Sequence, residues 1–189
     1  MKKIITIIAA MLLLTSALET QAGNIDFYDD GVIQEGDIFD NVDIWKTTTV
    51  DMTGGLVKWS MEVHDSGILN IYGGVIDGAD VIGVDSSTLN LWGGDFQRFH
   101  RIWVYDLAII NVYGYGFNRH DSYWLDGHWV NGTPFSLYIR GDYSWERTIL
   151  HEIPEPSSGL LLGLGMLLLR NRRFSYTMTT ITAGRSRPQ

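Results

Sequence analysis

Asp65, Asp85 and Asp106 recur at steps of 20 and 21 residues, the first two followed by serine. If successive copies stack at strand spacing, about 4.8 Å, like charges would repel by roughly 1 kcal/mol per neighbouring pair in water. Corner hydrogen bonds, solvent screening or a bound Ca²⁺ would each offset that repulsion. Asn70, Asn90 and Asn111 keep the same beat. Stacked amides bond to one another along an axis, so these three read as a structural ladder. Beside them run Tyr72, Trp92 and Tyr113. Such rings stack either on the apolar faces of a saccharide or on one another as cross-strand pairs.

Other chemistry is sparse. His64, His100, His120, His128 and His151 show no HxxxH or HExxH spacing, so they read as surface or turn residues and no metal centre is expected. No Asp/Glu/Lys cluster falls at one place in consecutive copies, so the chain is not expected to be an enzyme. A minimal polysaccharide-active enzyme and a saccharide-binding module using Tyr72, Trp92 and Tyr113 are the alternatives.

What must position these columns is a repeat. The segments Ser66–Gly74 (SGILNIYGG), Ser86–Gly94 (SSTLNLWGG) and Leu107–Tyr115 (LAIINVYGY) align, and Lys46–Gly55 (KTTTVDMTGG) is a weaker copy with Asp51 at the asparagine position. A period near 20 residues implies a stacked array. Within each copy the apolar residues alternate with period two, as strands do. That predicts two core ladders, Val50/Leu69/Leu89/Ile110 and Met52/Ile71/Leu91/Val112. Gly73-Gly74 and Gly93-Gly94 mark turns. The Asp-Ser pairs mark a second corner. The expected fold is all-β: a short right-handed parallel β-helix, or β-solenoid, of three to four coils, with a β-sandwich as the alternative. Asn24–Lys46 is suited to cover the first coil. Tyr123–Glu152, with Asp-Gly and Asn-Gly turn signals, is suited to close the far end as a β-hairpin cap.

Composition narrows the partners. Between Gly23 and Ile153 there are 16 Asp and 4 Glu against 2 Lys and 5 Arg, a net charge of −13. Nucleic acid is not expected, because phosphate contacts need a basic surface. The chain has no cysteine, so packing and backbone pairing must hold the fold.

Both ends carry addresses. Residues 1–22 have the form of a signal peptide: Lys2 and Lys3, the apolar run Ile4–Leu14, and small residues that place the cut between Ala22 and Gly23. Residues 23–152 then form the solenoid domain with its caps. At 153–173 the sequence reads IPEPSSGLLLGLGMLLLRNRR. Proline biases each preceding residue toward an extended form, so Pro154-Glu155-Pro156 is an accessible extended site. Ser157–Leu169 is 13 residues, about 20 Å as a helix against a bilayer core of about 30 Å. Arg170, Arg172 and Arg173 supply a positive stop. Residues 174–189 are polar and basic, and read as a disordered cytoplasmic tail.

This layout resembles the PEP-CTERM sorting signal of Gram-negative bacteria that make exopolysaccharide. The resemblance rests on Pro154-Glu155-Pro156, the Gly/Leu-rich block Gly159–Leu169, and the three arginines. It implies export through the Sec machinery, transient insertion in the inner membrane, and recognition by an exosortase. The product would be released to the cell surface or extracellular matrix, with exopolysaccharide as a further partner. No cofactor is expected; a Ca²⁺ on the aspartate column is the minor alternative. Two departures stand out: the apolar block is short, and the chain runs on for 16 residues after Arg173.

Overall fold

The computed structural model describes residues 22–78, 80–97, 101–141 and 145–155. The signal-peptide core, His100, Pro156, the apolar block, Arg170, Arg172, Arg173 and the tail 174–189 lie outside them. The chain divides into two compact units, Met1–Ile153 and Pro154–Gln189.

The described residues are all strand and turn, and form a β-solenoid of about 4 turns. Fifteen strands, numbered in chain order, build it. One face stacks β1 (Gly23–Phe27), β3 (Ile38–Ile44), β5 (Leu56–Val63), β8 (Asp80–Gly83), β11 (Arg101–Val104) and β14 (Pro134–Gly141) in parallel. A second face stacks β2 (Gly31–Ile33), β4 (Thr49–Met52), β6 (Ile68–Ile71), β9 (Thr88–Leu91), β12 (Ile109–His120) and β15 (Thr148–Glu152). A short third ladder joins the start of β5 to β7 (Val75–Asp77) and β10 (Asp95–Gln97). At the far end β13 (Trp124–Trp129) pairs antiparallel with both β12 and β14.

The two core ladders form as the alternation predicts. Val50, Leu69, Leu89 and Ile110 are in register, as are Met52, Ile71, Leu91 and Val112, and all are fully buried. Each such side chain contributes about 1.5–3 kcal/mol of burial. The parallel half-strands agree: Met61, Val63, Val81, Ile102 and Val104 are also fully buried.

The double glycines divide two tasks. A Cβ on Gly93 would sit 2.4 Å from the Tyr72 carbonyl oxygen, so the first glycine permits close approach of the coil beneath. Gly94 has φ +102°, so the second supplies the left-handed turn. The opposite corner uses aspartate for a left-handed residue, with φ of 56°, 56° and 53° at Asp65, Asp85 and Asp106, and Lys46 takes the same place one coil earlier. Short polar side chains tolerate this region better than most.

One expectation changes. Residues 24–46 do not lie across the first coil; they form it. Val42 and Ile44 register with Met61 and Val63, and Gly31 registers with Val50. The segment is polar because its outward positions are acidic, while Ile33, Val42 and Ile44 fill the core completely. The far end is closed by the hairpin, where Leu125, Trp129, Phe135, Leu137 and Ile139 continue the core.

Candidate functional site

The asparagines sit on the outward parity of the second face and bond in series. Asn70 donates its Nδ2 to Asp51 Oδ1 at 2.7 Å, Asn90 to Asn70 at 2.7 Å, and Asn111 to Asn90 at 2.8 Å. His151 Nε2 meets Asn111 Oδ1 at 2.9 Å and continues the column. The order has a chemical logic: Asp51, an acceptor when ionised, receives at one end, and each amide donates one way and accepts the other. Asn90→Ala removes both of its contacts and leaves two half-buried polar groups short of a partner. A loss of about 1–3 kcal/mol in urea unfolding is expected.

The rings run parallel to that column. Trp92 and Tyr113 stack with centroids 3.5 Å apart and planes at 5°, and Tyr113 stacks on His151 at 4.3 Å and 10°. Tyr72 lies 6.2 Å from Trp92. The faces within the stack are therefore occupied by neighbouring rings, whereas a saccharide platform needs open faces. Tyr72, at the end of the stack, is 49% exposed and borders a shallow cleft with Gly94, Asp95, Asn131 and Thr133.

The aspartate column is a set of corner acceptors. Asp65 Oδ2 accepts the Lys46 N–H at 3.0 Å, and Asp85 Oδ2 accepts the Asp65 N–H at 3.1 Å. The carboxylates of Asp65 and Asp85 thus each tie their own coil to the previous one, a charge-assisted bond that offsets the stacked charge.

Sequence reasoning missed a second outward cluster, at Asp43, Glu62 and His64, whose ligating atoms lie within 4.8 Å of one another. His64 Nε2 is buried without a hydrogen bond, 3.6 Å from Asp43 and 3.8 Å from Glu62. Asp43 and Glu62 are register partners on neighbouring coils, so linear spacing could not reveal the group. The imidazole stacks on Trp45 at 3.9 Å and 6°, with Tyr28 beyond it, so His64 is also the end of a second ring column. Its side chain remains 17% exposed, which fits an imidazole set among acids as readily as a cation ligand. Elsewhere on the same face Arg101 forks onto Asp80 at 3.0 and 2.9 Å, and the Trp103 indole N–H donates to that carboxylate at 3.2 Å. Asp80 is thereby committed to an ion pair.

The last feature is where the folded unit stops. β15 is the last strand of the second face, and beyond it the Ile153 N–H donates to the Gly114 carbonyl at 2.7 Å. Odd-numbered residues face β12 here, so Pro154 turns toward the open side and leaves no N–H there for a further strand to pair with. Pro154 and Glu155 are both exposed. The extended, proline-bounded site thus begins one residue after the final ladder bond.

A family model for the PEP-CTERM protein-sorting motif matches residues 152–173. The chain carries that motif directly after its β-solenoid, which marks it as an exported protein processed by an exosortase. No curated protein and no solved structure matches the chain. Among the described residues no helix is long and apolar enough to cross a membrane.

Proposed function

We propose that a chain with a sorting motif at the edge of its folded domain is a non-enzymatic building element of the bacterial cell surface or extracellular matrix. The observation that carries this reading is the junction: the last ladder bond falls at Ile153, and Pro154 and Glu155 follow it exposed. Cleavage there would release the solenoid whole, with no strand cut.

The columns support a structural role. Outward-facing amides, rings and corner carboxylates engage one another along the axis, which rigidifies a fold that has no cysteine to staple it. In this reading Ser157–Leu169 holds the precursor in the inner membrane only transiently. Its length suits temporary lodging, with Arg170, Arg172 and Arg173 on the cytoplasmic side. Sec and the exosortase are the partners of export, and no cofactor is invoked.

Intact mass of the protein recovered from cells and medium tests this directly. The expected mature species begins at Gly23 and ends within Pro154–Pro156. A full-length C-terminus retained in the membrane would overturn the release step. Cleavage of an acidic polymer by purified Gly23–Ile153 would overturn the non-enzymatic assignment.

A further inference from the structure

The asparagine column changes character at its ends. In register it runs Val32, Asp51, Asn70, Asn90, Asn111, Ile149. Its interior is polar, yet both terminal rungs are apolar, with Val32 56% and Ile149 45% exposed. The adjacent inward column ends in Leu150. Every earlier member of it, from Ile33 to Val112, is fully buried, but Leu150 is 39% exposed. Among the described residues the last rung therefore lacks a cover.

Both terminal strands are open. Among the described residues β2 pairs only with β4, and β15 only with β12. Both run parallel to the same ladder, so they point the same way along the chain. A β15 edge can accept the β2 of another copy as its next parallel rung without reorientation. Continuing the register sets Val32 on Ile149, Ile33 beside Leu150, and Asp30 opposite Arg147.

Strand direction and register favour this pairing, and charge disfavours the joining of two N-terminal ends. Residues 23–46 hold seven acids and one lysine, whereas residues 101–153 hold four arginines and six acids. Two N-terminal ends repel one another, as charged edges do. An N-terminal end meeting a C-terminal end gains the Asp30–Arg147 pair. We propose that the domain associates head to tail with further copies of itself, β15 of one on β2 of the next. Such a contact uses different surfaces on each copy and does not close, so it builds linear chains. The contact is small, which makes it weak and dependent on high local concentration. The inference is independent of how the chain is exported.

The fragment Gly23–Ile153 contains every described strand and the whole buried core, within one compact unit, so it is suited to the test. In sedimentation analysis its average mass should rise with concentration, past dimer. Val32→Glu blocks one end and Ile149→Glu the other; both positions face outward and are exposed, and unchanged melting curves check the fold. Each variant alone should remain monomeric. An equimolar mixture should form a dimer and stop there, because one native end of each remains. Three results would overturn the proposal: a wild-type fragment that stays monomeric, association of either variant alone, or a mixture that stays monomeric.

Discussion

Replacing Pro154-Glu155-Pro156 with three alanines is expected to leave the chain uncut at its C-terminus, taking processing from complete to undetectable. Three changes act together. Alanine restores the N–H groups that the prolines lack, and that of residue 154 lies on the side facing away from β12, so that edge gains a donor with which another strand could pair and cover the site. Loss of the prolines also removes the bias that keeps their preceding residues extended. Loss of Glu155 removes the one charge in the site, which is solvent-exposed and available to a protease. The folded domain should be untouched, because Pro154 and Glu155 lie beyond its final bond. An immunoblot with a tag in the solenoid, together with intact mass, reads the result as full-length protein in the membrane fraction. Normal trimming of the triple variant would show that recognition lies in the apolar block or the arginines instead.

Legibility in the sequence follows the reach of each interaction. The two core columns are visible because strand alternation is local and the coil length nearly constant, so Leu69, Leu89 and Ile110 announce themselves by spacing. The asparagine and ring columns are visible for the same reason. Their extension to His151 is not, since that rung follows a hairpin excursion and lies 40 residues from Asn111. The first coil reads as a cover because its acidic outward positions mask three buried apolar ones, Ile33, Val42 and Ile44. The Asp43–Glu62–His64 group is hidden because only pairing across coils brings Asp43 to Glu62 and His64. Parity alone allows a saccharide platform: it says that rings point outward, but not that they lie face to face, as the stacking distances show.

The largest loss of stability should come from Trp129→Ala, about 3–5 kcal/mol by removal of a buried aromatic side chain. Against a total of about 5–15 kcal/mol for an ordinary domain, that is enough to leave part of the population unfolded. Trp129 is 1% exposed, lies 4.1 Å from Phe135 and 5.9 Å from Phe96 between ring centroids, and donates its indole N–H to the Gly94 carbonyl at 3.1 Å. It thereby ties the hairpin cap to the glycine corner of an earlier coil, so alanine leaves a cavity and removes that tie. Trp129→Phe separates the two terms: it retains most of the apolar volume and forfeits only the indole bond, for about 1–3 kcal/mol. Urea denaturation with an unchanged m-value measures both. The damage should not stay local. β12 pairs with β13 on one stretch and with β15 on another, so loosening the cap also loosens the rung that presents Pro154. Hydrogen exchange in Trp129→Ala should therefore accelerate at His151 and Ile153, which face β12, as well as in β13. Fast exchange confined to β13 and β14 would mean that the cap and the final rung open independently.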